Sequence, residues 1–177
     1  MKYHLLAIMT ISIFFGCSNA AKEDQKNELG YFDLKSFFHK EAGRLKKKNP
    51  FVEKTVLINA DAETKKVQIP DWVTELAMFA NADINRASWK GLFSIQKNEN
   101  EEVYISSNDK VPVKKVTVNK HLNQVSSIQI IVTNVNSLYS STDTLSYFPD
   151  SLYLINKTQN IRLLPGKHYQ VIGKILK

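Results

Sequence analysis

The stretch Val125-Ser126-Ser127-Ile128-Gln129-Ile130-Ile131-Val132-Thr133 decides the fold. Ile128, Ile130 and Val132 alternate with Ser127, Gln129 and Thr133, and only Ile131 breaks the period. Successive side chains of a strand point to opposite faces, so this alternation describes a strand with one buried and one polar face. Leu92–Lys97, Glu102–Ser106, Val113–Asn119, Leu138–Phe148, Leu152–Ile155 and His168–Ile175 repeat the pattern. Turn chemistry separates them at Asn98-Glu99-Asn100, Asn108-Asp109, His121-Leu122-Asn123, Pro149-Asp150 and Pro165-Gly166. Such spacing predicts an antiparallel meander, curved or partly closed into a half-barrel.

Working toward the N-terminus, Phe51–Ile58 and Thr64–Ile69 read as a hairpin about Asn59-Ala60-Asp61-Ala62. Leu34, Phe37, Phe38, Ala42 and Leu45 recur at helical spacing. Asp33 is placed to cap that helix, Phe32 and Phe37 to staple its start, and Asn49-Pro50 to end it. Trp72, Leu76, Phe79 and Ala80 line the buried face of a second helix capped by Asp71. The expected architecture is α+β: one curved antiparallel sheet with two N-terminal amphipathic helices on one face, in a single domain over residues 29–177. About 150 residues is a common domain size, large enough to bury about two-thirds of the unfolded chain's surface.

Ahead of that domain, Leu5–Phe15 is an apolar run interrupted only by Thr10 and Ser12, and Gly16-Cys17-Ser18 follows. A mainly apolar stretch of eleven residues is too short to span a bilayer as a helix, which takes about 20, but it suits a signal-peptide core. Phe14-Phe15-Gly16-Cys17 resembles the lipobox of bacterial lipoproteins, with Phe14 and Phe15 where that family usually has leucine and a small residue. The resemblance implies a signal peptide over residues 1–16, removal of it, and palmitate-type acyl chains carried by Cys17, which becomes the N-terminus. Cys17 is the only cysteine of the chain, so it has no disulfide partner. Ser18-Asn19-Ala20 offers a second outcome, secretory cleavage after Ala20 and release of a soluble chain. Residues 17–28 read as the lipidated cysteine and a polar tether.

A second resemblance is carried by Tyr31-Phe32-Asp33-Leu34-Lys35, Val52-Glu53-Lys54-Thr55-Val56, Asp71-Trp72, Asp83-Ile84-Asn85 and Trp89. These stretches are similar to a family of uncharacterised envelope lipoproteins of Bacteroidota. The likeness implies an outer-membrane lipoprotein facing the periplasm and brings no activity with it.

The formal charge of +7 falls to +6 once Lys2 leaves with the signal. It is unevenly spread: residues 35–68 carry nine basic and four acidic groups, 69–109 three and seven, and 110–177 nine and two. For an exported protein a basic surface meets anionic lipid, an acidic partner or simply solvent, and no nucleic acid partner is expected.

No catalytic constellation is visible. His39, His121 and His168 form no HExxH, and no nucleophile serine is flanked by glycines. No metal site and no cofactor are expected. Trp72, Trp89, Tyr139, Tyr147, Tyr153 and Tyr169 are the candidates for lining a ligand groove, with core packing as the plainer reading. Asp143-Thr144-Leu145 and Asp150-Ser151-Leu152 resemble the short O-glycosylation pattern of Bacteroidota. The functional expectation is a non-enzymatic binding or assembly module, anchored to the membrane through Cys17, with a protein or a lipid as partner. The alternatives are a lipid or lipoprotein carrier, similar to periplasmic chaperones with a half-closed sheet, and a secreted hydrolase.

Overall fold

The computed structural model describes residues 30–176; the stretches expected to be a signal peptide and a tether, with Cys17, lie outside the described residues. Helix α1 runs over Leu34–Lys48. Asp33 accepts a hydrogen bond from the Ser36 backbone N–H, and Phe32 packs on Phe37 with ring centroids 5.6 Å apart, so cap and staple together fix the start. Asn49, in the left-handed region at φ 44°, turns the chain out of the helix ahead of Pro50.

The hairpin β1 (Phe51–Ile58) and β2 (Asp61–Gln68) comes next, followed by two short helices, α2 (Trp72–Glu75) and α3 (Ala77–Asn81), and a 3-10 turn at Ala87–Trp89. The single second helix expected from Trp72, Leu76, Phe79 and Ala80 is therefore broken. Leu76 leaves helical geometry at φ −94°, ψ 8°, while Trp72, Leu76 and Phe79 all stay buried. Strands β3 (Ser94–Lys97), β4 (Glu101–Ile105), β5 (Val113–His121), β6 (Gln124–Val135), β7 (Tyr139–Phe148), β8 (Leu152–Ile161) and β9 (Lys167–Ile175) complete the chain.

All nine strands join one antiparallel open sheet in the order β2-β1-β9-β8-β7-β6-β5-β4-β3. The expected meander is β3 to β9, and the N-terminal hairpin extends it by pairing β1 with β9, Val52 opposite Ile175 and Ile58 opposite Tyr169. β2 and β3 are thus opposite edges, and residues 69–93 must cross the sheet between them. Eight inter-strand spacings of about 4.8 Å set that span at roughly 38 Å along the sheet. The crossing chain carries α2, α3 and the 3-10 turn over the face where Phe38 of α1 meets Tyr147 of β7 and Phe79 of α3, at centroid distances of 5.2 and 5.0 Å. Register shifts at Val113/Lys115 and Asn119/Lys120 in β5 increase the local twist of the sheet.

The strands end in two groups of turns. One end holds the β5–β6 and β7–β8 turns, and α1 is tied to it by Arg44 and Lys48, which both reach Asp150. The other, distal end holds the tips of the β1–β2, β6–β7 and β8–β9 hairpins and the connection from β4 to β5.

Two glycines respond oppositely to an added methyl group. Gly173 of β9 faces Tyr153 of β8, and a Cβ there would fall 2.0 Å from the tyrosine ring, so only glycine lets the ring lie across β9. Gly43, in the middle of α1, has nothing within 4 Å of the added atom. Gly173→Ala is expected to lower stability by about 3 kcal/mol or more through overpacking, and Gly43→Ala to raise it by about 1 kcal/mol through helix propensity. Urea unfolding of the two variants measures both signs.

Candidate functional site

Three tyrosines of the sheet donate short hydrogen bonds to glutamates, and two of these bonds hold the helices in place. Tyr147 Oη donates to Glu41 Oε2 of α1 at 2.6 Å, and the same carboxylate is forked by Arg44. Tyr153 Oη donates to Glu75 Oε1 of α2 at 2.5 Å, where Lys54 supplies the countercharge. Tyr104 Oη donates to Glu102 Oε2 at 2.6 Å and accepts from the Phe32 backbone N–H, joining the start of α1 to β4. A buried tyrosine with its hydroxyl on a charged acceptor gives both apolar area and a strong directional bond.

α3 and the 3-10 turn lie over β5, β6 and β7, and a pocket of about 240 Å³ opens between them. Met78, Ala82 and Trp89 form its roof, and Val113, Val132 and Leu145 its apolar floor. Arg86 stands at the wall, its guanidinium 4.5 Å from the Trp89 ring centroid and donating to the Asn81 carbonyl oxygen at 2.9 Å. Asn134 and Asp143 add polar groups from β6 and β7.

Asp143 is the unusual member. It is 6% exposed, its Oδ1 has no hydrogen-bond partner, and its Oδ2 lies 3.6 Å from Lys157 Nζ on the neighbouring strand. Burial pushes its carboxyl above the ordinary aspartate range, and the Lys157 ammonium only partly counters that. An acceptor left unpaired in this way costs free energy that a ligand donor would recover.

Other hollows differ in this respect. The one beside β1 and α2 contains Lys54 and Glu75, but these are already paired at 2.7 Å. The one between α1 and α3 is small, about 120 Å³.

Of the six aromatic residues singled out in the sequence, Trp89 lines the pocket. Trp72, Tyr147 and Tyr153 are buried in the core, while Tyr139 and Tyr169 lie half-buried near the distal end. They do not gather into one groove. Asp143-Thr144-Leu145 lies inside β7, paired on both sides, with Asp143 and Leu145 buried. Asp150 and Ser151 lie in the β7–β8 turn and Leu152 opens β8; Asp150 is held by Arg44 and Lys48, and Ser151 is exposed.

His39 sits on the exposed side of α1, His121 at the end of β5, and His168 near the start of β9. Among the described residues no three His, Cys, Asp or Glu side chains converge as a metal site, and no helix is long and apolar enough to cross a membrane.

Asp143 and Arg86 were not read from the sequence as site residues. A lone aspartate within a Ser/Thr-rich strand is the one signal Asp143 offered, an acid on the face that alternates toward the core. Comparison with protein-family models, curated proteins and solved structures finds no match.

The Glu102 network generates a pH prediction. Burial opposes its ionisation, but Lys120, Lys97 and Tyr104 together outweigh that and draw the carboxyl down to about 2. A depressed carboxylate stabilises the fold above its unfolded value, and that contribution disappears as pH falls through the folded one. Stability is therefore expected to decline between about pH 4.5 and pH 2. Glu102→Gln is expected to flatten this decline and to be less stable than the parent at pH 7, as read by urea unfolding across that range.

Proposed function

We propose that the protein is a non-enzymatic binding module of the cell envelope that takes a small, mainly apolar molecule bearing an amine or another hydrogen-bond donor. The observation that carries this reading is the buried, unpartnered Oδ1 of Asp143 on an otherwise largely apolar pocket floor. A donor placed there satisfies the acceptor, an ammonium group matches its charge, and the walls of Trp89, Met78 and Leu145 receive the apolar body. Arg86 at the wall can meet a carboxylate or phosphate elsewhere on the same molecule.

The proposal includes a place in the cell. Acyl chains on Cys17 would hold the domain near the periplasmic face of the outer membrane, at about 0.8 kcal/mol per buried CH₂. The helices α1 to α3 act as a cover on one face of the open sheet. A carrier that cradles whole acyl chains on that face is the weaker reading, since Phe38, Trp72 and Phe79 fill the part of it that a long chain would need. A hydrolase is weaker again, because His39, His121 and His168 stand on separate elements.

Phenethylamine and its neutral counterpart ethylbenzene are the probes that test the pocket, followed by chemical-shift titration of the protein. The amine is expected to bind more tightly than the hydrocarbon and to perturb Leu145 and Val132. Asp143→Asn is expected to weaken the amine at least about tenfold and leave the hydrocarbon unchanged. Equal binding of the amine to parent and variant would overturn the pocket assignment. Globomycin-sensitive processing and detergent partition of the product test the anchor separately, and an aqueous product beginning at Ala21 would remove it.

A further inference from the structure

The distal end of the sheet carries an exposed apolar cluster that neither the pocket nor the helix cover explains. Leu163 is 95% exposed, Val135 75%, Leu138 70% and Leu164 59%. They belong to two hairpin tips that lie side by side: Tyr139 pairs with Ile161, and the Arg162 backbone N–H donates to the Leu138 carbonyl oxygen at 2.9 Å. Scattered exposed leucines are ordinary, but four large aliphatic side chains on two adjoining tips form a patch.

The turn itself does not ask for these residues. Leu163 sits at φ 69°, in the left-handed region that favours glycine, and Leu164 follows it into solvent. Leu122, at the tip of the β5–β6 hairpin at the opposite end, shares the positive φ and the exposure. What distinguishes the distal patch is its second apolar tip and its charge.

That charge has one sign. Residues 134–140 and 159–169, which make both tips, contain Arg162 and Lys167 and no aspartate or glutamate. Arg162, Lys167 and His168 are exposed beside the leucines. The acids nearest to the tips are Asp143, buried further along β7 opposite Lys157, Asp109 in the connection from β4 to β5, and Asp61 on the β1–β2 hairpin. Leucines projecting beyond a ring of cations complement one environment in particular, a bilayer whose headgroups are anionic and whose acyl region begins a few ångströms below them. An acidic partner without an apolar face of its own would use the cations but leave the leucines in water.

We infer that the paired tips of the β6–β7 and β8–β9 hairpins dock on an anionic lipid surface, with Leu138, Leu163 and Leu164 entering the acyl boundary and Arg162 and Lys167 resting among the headgroups. This surface is distinct from the Asp143 pocket and would operate whether or not that pocket binds a ligand. It would orient the domain with the sheet standing on its distal end and α1 turned away from the bilayer.

The test uses the full chain with Cys17→Ser, so that one introduced thiol is the only one, labelled with an environment-sensitive nitrobenzoxadiazole dye at Leu164→Cys, Leu138→Cys or Leu122→Cys. Labels at 164 and 138 are expected to shift to the blue on vesicles containing phosphatidylglycerol and not on pure phosphatidylcholine, while the label at 122 stays aqueous. Arg162→Glu with Lys167→Glu is expected to weaken that response about tenfold or more. These substitutions lie at exposed positions, and circular dichroism of each variant verifies the fold. No shift at 164 on anionic vesicles overturns the proposal, as does a shift at 122 in its place. An equal response on both lipids that survives charge reversal overturns it too. So does a shift that appears without lipid as protein concentration rises, or on adding duplex DNA, because it would assign the patch to self-association or to nucleic acid.

Discussion

The pairing of β1 with β9 is the constraint on which the rest of the structure depends. It places the N-terminal hairpin at one edge of the sheet and leaves the start of the meander at the other. The connection between them then has to travel across the sheet, and the residues that make the journey are the ones that cover it. α1 precedes β1 and is drawn onto the same side, where its Phe38 stacks between α3 and β7. A pocket forms because that cover is made of short pieces rather than one long helix, so that α3 and the 3-10 turn stand apart from the floor near β7.

Polar bonds set how firmly that cover sits. Tyr147 and Tyr153 are adjacent partners on β7 and β8, and each sends its hydroxyl up to a helix glutamate, one in α1 and one in α2. Gly173 makes room for the second of these rings. The same two strands continue past the helices toward the distal end, where their inward positions change character, from tyrosine and leucine to Asp143, Ser141, Lys157 and Gln159. The fold thus divides one face of one sheet into a packed half and a polar half, and Asp143 lies at the boundary.

Much of this was legible in the residues. The alternation in β6 declared a half-buried strand, Asp33 and Asn49-Pro50 bounded α1, and the turn residues separated the strands within a few positions. The length of β8 was not legible: its second half, Asn156–Ile161, reads as a polar loop because beyond the helix cover neither face is buried deeply enough to demand apolar residues. The second helix was overestimated because a helical apolar spacing does not reveal a break at a residue that remains buried, as Leu76 does. The β1–β9 pairing joins residues far apart in sequence and has no local signature. The aromatic residues are natural candidates for ligand contacts, yet Trp72, Tyr147 and Tyr153 serve the core, and the candidate pocket is marked instead by an aspartate with one oxygen unpaired.

The proposed role of Asp143 is that of a buried carboxylate held ready for a ligand, a claim that its ionisation tests directly. Carbon-13 NMR titration of the Asp143 carboxyl in the ligand-free protein measures it. A midpoint clearly above that of an ordinary aspartate is the predicted result, since burial dominates over the distant Lys157 ammonium. A midpoint at or below the ordinary value would mean that the group is hydrated or fully paired, and would contradict the claim.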